Sequence, residues 1–115
     1  MQVTVWKTGG FAGVREKLGP VDTDRVSGAV GSAIVRRVEE MRFFDLPGDA
    51  EPGGAYDDFH FSVHILDGER DKQVGFDDHS KGQLATELRQ FVQMLEDGGF
   101  EFEDQKGEFG EESRS

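Results

Sequence analysis

The 115-residue chain contains no cysteine. Disulfides, thiol nucleophiles and thiolate metal centres are therefore excluded from any account of its fold or activity. Long apolar runs are also missing, and nothing approaches the ~20 consecutive residues that span a bilayer. The N-terminus, MQVTVWKTGG, has no basic stretch followed by an apolar one. No signal peptide is visible, and the expected compartment is the cytoplasm. Positive charge is scarce: 13 Lys plus Arg stand against 24 Asp plus Glu, a net charge of −11. Nucleic-acid binding depends on Lys and Arg neutralising phosphates, so neither nucleic acid nor an anionic membrane is an expected partner. The acidic surface favours solubility, and it is equally compatible with steering a basic partner or with adaptation to high salt.

What is present is a single domain's worth of core. Hydrophobic residues make up 35% of the chain and charged residues 32%, enough for a small core under an ionic surface. MQVTVW alternates, with Val3 and Val5 on one side and Thr4 and Trp6 on the other, the period of a strand. TGG then supplies turn residues and VREKL returns as a second strand, making an N-terminal hairpin. VDTDRVSGAVGSAIVRRVEEM reads as a helix entered through Asp24 or Ser27. Val30, Ile34, Val38 and Met41 form its apolar stripe, and Gly28 and Gly31 weaken its first turns. FFDLPGD ends it, and residues 48–57 form a loop rich in glycine and proline.

FHFSVHIL is the clearest strand, with Phe59, Phe61, Val63 and Ile65 on one face and His60, Ser62 and His64 on the other. DGER suits a type I′ hairpin turn, and KQVGF is the return strand. Ser80 and Gln83 have the spacing of a capping box before a second helix striped by Leu84, Leu88, Phe91, Val92 and Leu95. Gly98 and Gly99 end that helix. Phe100 and Phe102 are candidates for a short edge strand, and an acidic, mobile tail is expected from about Asp104. The resulting order, β-β-α-β-β-α, predicts a two-layer α+β fold: a mainly antiparallel sheet of about four strands with both helices on one face. Residues 1–99 are expected to form the domain, and residues 100–115 the tail.

Little of the chemistry an enzyme needs is recognisable. TGGFAG lacks the order of a dinucleotide loop and the Lys and Ser/Thr of a P-loop, and it joins two strands instead of opening a helix. On a strand His60 and His64 share a face but lie about 13 Å apart at ~3.3 Å per residue. That exceeds the reach of a shared zinc, although a histidine from a neighbouring strand could complete a site. The acidic pairs at 39–40, 57–58 and 77–78 read as solvated surface. No catalytic residues, no metal and no cofactor are expected. Trp6, Phe11 and Tyr56 fall outside the core pattern, and aromatics on loops are common anchors of protein interfaces.

The ordered set VTVWKTGGFAG, VDTD, FFDLP, GGAYDDFHFSVHILDGER and QVGFDD resembles the emfourin family over residues 1–97. Its members are small inhibitors of thermolysin-like (protealysin-type) zinc metallopeptidases. The resemblance implies a small α+β domain, not an enzyme, that acts by occupying the peptidase's active-site cleft. The alternative is a non-inhibitory interaction or structural domain of the same fold. As an inhibitor the chain is expected to be a monomer whose partner is such a peptidase. The candidate contacts are Met1, Gln2 and Phe11, with Ala55, Tyr56 and Asp57 in the loop.

Overall fold

A computed structural model describes residues 1–9, 13–49 and 59–105. The chain runs through β1 (Gln2–Gly9), β2 (Val14–Asp22), α1 (Gly28–Glu40), a 3-10 turn (Phe43–Asp45), β3 (Phe59–Asp67), β4 (Arg70–Asp77), α2 (Gln83–Asp97) and β5 (Phe102–Asp104). The strands form one antiparallel sheet in the order β4-β3-β1-β2-β5. The fold is therefore α+β, with the short strand at Phe102 as a fifth member beside β2. The sheet accordingly extends past Gly99.

Alternation along the strands decides which face is covered. Val3 and Val5 of β1 pair with Ile65 and Val63 of β3, and Val63 pairs with Val74 of β4. These residues share one buried cluster with Ile34 and Val38 of α1 and with Leu88, Phe91 and Leu95 of α2. Both helices thus lie on the same face, and each side chain buried there contributes roughly 1.5–3 kcal/mol. Phe76 and Phe91 are fully enclosed, while Phe59 and Phe61 sit half-buried at the rim. The opposite face carries Thr4, Trp6, His60, Ser62 and His64, the in-out pattern of a sheet solvated on one side.

Helix α1 starts later than the sequence pattern suggests. Val21 and Asp22 belong to β2, where Val21 pairs with Val3, and the Thr23 amide then donates to the Met1 carbonyl at 2.9 Å. Ser27 is the N-cap, its hydroxyl accepting from the Val30 amide at 3.4 Å. Gly31 is there for proximity: a Cβ would run into the Thr23 carbonyl oxygen.

Two local expectations are corrected. The capping box at Ser80 does not form, because Ser80 is buried and its hydroxyl accepts from the Asp77 amide at 2.8 Å. Helix α2 instead begins at Gln83 behind Gly82, whose φ is +98°. At the DGER turn Gly68 has φ +63° but Glu69 is not left-handed, so the two left-handed residues of a type I′ turn are not both present.

The hairpin end docks on the helix layer through Arg70. Its guanidinium bonds Asp67 at 2.5 Å and Glu39 at 3.2 Å, and it lies 4.2 Å from the Phe44 ring centroid. The hydrogen bond to Asp67, and then that to Glu39, holds Arg70 above its ordinary pKa. Among the described residues no helix is long and apolar enough to cross a membrane.

Candidate functional site

The strand register divides the sequence-predicted contacts between two ends of the sheet. At one end Gln2 lies opposite Leu66; at the other Gly9 lies opposite both Phe59 and Val14. The strands that lead into segments 10–12 and 50–58 therefore meet at the Gly9 end. Phe11, Ala55, Tyr56 and Asp57 belong to those segments and lie outside the described residues. Met1 and Gln2 stand at the Gln2 end, about 23 Å away at ~3.3 Å per residue of β1.

Met1 is tied down. Its carbonyl accepts from the Thr23 amide at 2.9 Å and from the Thr23 hydroxyl at 3.3 Å. Its ammonium group lies 3.9 Å from Asp24, and its side chain is only 3% exposed. The exposure Met1 retains is thus main chain, and the thioether side chain packs against the core. Gln2 is exposed.

Both stems of segment 50–58 are anchored on neighbouring strands. Before it, the Gly75 amide of β4 donates to the Gly48 carbonyl at 2.8 Å, and Asp49 bridges Gly75 in parallel. After it, the Phe59 carbonyl accepts from the Asp78 amide at 2.9 Å. Arg89 of α2 reinforces the corner that follows β4 by donating to the Asp78 and Ser80 carbonyls. These anchors give the segment a fixed base of described, hydrogen-bonded backbone.

Charge at this end is organised around aromatic rings. Lys7 Nζ lies 4.3 Å from the Phe59 ring centroid, 5.9 Å from that of Phe61 and 5.8 Å from that of Phe102. Glu16 closes the cage at 3.8 Å. A cation over ring faces gains about 0.5–2 kcal/mol, more as it is desolvated, which explains a lysine on the core-facing side of β1. On the open face, Arg15 and Lys17 flank Trp6 with cation-to-centroid distances of 5.1 and 5.4 Å. The histidines there are each engaged by one carboxylate, His60 by Asp77 at 2.8 Å and His64 by Asp71 at 2.6 Å. Each of these pairs spans β3 and β4, so the two histidines are drawn to different partners instead of to one centre.

The arrangement is a rigid sheet end carrying two loop segments on well-anchored stems. The family model for Emfourin matches residues 5–96, from the middle of β1 to the last turn of α2. The chain belongs to the emfourin family. That match takes in both hairpins, both helices and the 10–12 and 50–58 segments of this emfourin. No curated protein and no solved structure matches the chain. Sequence reading found the two loop segments through their glycines and aromatics. It missed the strap at Gly48 and Asp49, for which a glycine in the middle of β4 was the available signal.

Proposed function

We propose that this emfourin is a monomeric, non-enzymatic protein inhibitor of thermolysin-like zinc metallopeptidases that blocks the active-site cleft. The observation that carries this reading is the family match across residues 5–96. Inhibition of this kind requires an element that fills the cleft and keeps its shape there, because ordering a loose loop on binding costs affinity. The anchored stems of segment 50–58 and its meeting with segment 10–12 at one sheet end support that end as the contact.

The proposed contacts are Phe11, Ala55, Tyr56 and Asp57 at that end, with Gln2 and Met1 as a second group at the other. Tyr56 and Phe11 supply apolar area, and Asp57 supplies a carboxylate able to approach the catalytic zinc. Met1 contributes through its main chain and through holding Gln2 in place, since its side chain is already used in packing.

The test is a titration of the purified chain against a thermolysin-like peptidase, following hydrolysis of a peptide substrate after varied preincubation. Stoichiometric loss of activity with the inhibitor uncut supports the reading. Digestion of the chain as an ordinary substrate, or activity unchanged across several such peptidases, overturns it in favour of a non-inhibitory interaction domain.

A further inference from the structure

Three observations converge on Gly75, a residue in the middle of an otherwise apolar stretch of β4. Its amide donates to the Gly48 carbonyl at 2.8 Å, so residues 48 and 49 form a strap along the outer edge of β4. A Cβ at position 75 would lie 2.5 Å from Asp49 Oδ1, closer than real Cβ contacts come. The same Cβ would lie 3.1 Å from Nε2 of His60, whose Nδ1 is held by Asp77 at 2.8 Å. The Asp49 carboxylate and the His60 ring thus occupy the space that a side chain at 75 would fill. Neither can move aside freely, one being fixed by the main-chain bridge and the other by Asp77.

Gly75 is not a turn residue, and φ does not explain it, since it is absent from the left-handed glycines. Glycine inside a strand weakens the strand unless another backbone approaches closely. Here the approaching backbone is the strap, which immediately precedes segment 50–58.

We infer that Gly75 and Asp49 are positioning residues for inhibition: the missing side chain at 75 seats the Gly48–Asp49 strap on β4, and that seat fixes where the peptidase-contacting segment begins. This rests on the reading above, in which Ala55, Tyr56 and Asp57 meet the peptidase. With the seat lost, the segment keeps its Phe59 stem but its first stem is released from the sheet. Only the fraction of molecules with the strap in place then binds, and apparent affinity falls by that fraction.

The experiment compares the full-length chain with Gly75→Ala, Asp49→Ala, the double variant and Tyr56→Ala, all titrated against one thermolysin-like peptidase. Association and dissociation rates, the unfolding midpoint and hydrogen exchange at the position-75 amide are followed for each. Gly75→Ala should weaken inhibition about tenfold, as expected when roughly a tenth of the molecules remain competent. The loss should fall on association, with faster exchange at position 75. Adding Asp49→Ala should restore most of the potency, because the new methyl takes the place of the carboxylate. Where Gly75→Ala prevents folding, two glycines inserted between Gly48 and Asp49 slacken the strap without altering the sheet, and the same loss is expected.

Unchanged inhibition by a folded Gly75→Ala, beside a potent wild type, overturns the positioning role and leaves the inhibitor reading intact. So does a potent wild type beside an equally potent Tyr56→Ala, which would show that the segment makes no important contact. A Gly75→Ala chain that self-associates yet inhibits normally would reduce the strap to edge protection and also overturn the inference. A wild type that leaves the peptidase fully active overturns the inhibitor reading and this inference together.

Discussion

Gly9 lies directly opposite Phe59 on the β1–β3 ladder. The pairing brings the starts and ends of two distant loop segments to one end of the sheet. It also separates them from Met1 and Gln2 by the full length of β1. If the contact is made at the Gly9 end, Tyr56→Ala should cost about 2 kcal/mol or more in binding, the range of an interfacial aromatic anchor. Gln2→Ala should cost less than about 1 kcal/mol as a rim residue. Inhibition constants for the two variants, measured side by side with unfolding curves, decide between the ends.

The two glycines at the start of α1 should respond in opposite directions. Gly28 faces open space, so Gly28→Ala should stabilise by a few tenths to about 1 kcal/mol through helix propensity. Gly31→Ala should instead destabilise by about 1–3 kcal/mol, because its methyl meets the Thr23 carbonyl in a packed contact. Urea midpoints for both variants check this, and equal shifts would contradict the packing of α1 against Thr23.

Gly19 sits where the β1–β2 register slips between Val3 and Val5, with φ +95°. A Cβ there would lie 2.6 Å from the Val3 carbonyl oxygen and 2.9 Å from the Val21 amide nitrogen. Both the backbone conformation and the space exclude a side chain. Gly19→Ala should therefore cost about 2–4 kcal/mol, combining left-handed strain with a backbone clash. A thermal midpoint within a degree of wild type would be incompatible with this bulge.

Phe91 is completely buried on the face of α2 that meets the sheet. Phe91→Ala should destabilise by about 3–5 kcal/mol, from lost transfer energy and the cavity left behind. Because a domain of this size has only about 5–15 kcal/mol of net stability, the variant should unfold at much lower urea. Its inhibitory potency at low temperature, where it remains folded, should stay near that of wild type.

The strand and helix phases were legible in the sequence because they depend on local geometry alone. The pleat repeats every two residues and the helix every 3.6. The alternation from Phe59 to Ile65 and the stripes on both helices therefore named the buried faces before any partner was known. Family membership was legible for a related reason, since the ordered segments that carry it all lie within the matched region.

Tertiary structure decided what depends on a partner distant in sequence. Val21 and Asp22 look like the lead-in to a helix, yet Val3 and Met1 draw them into the sheet. Ser80 has the spacing of a cap, yet its hydroxyl is taken by the Asp77 amide. Gly31 and Gly75 look like weak points in a helix and a strand, and each is the place where another stretch of backbone passes too close for a side chain. Local periodicity sets which way a residue faces; only the assembled sheet and helices set what it faces.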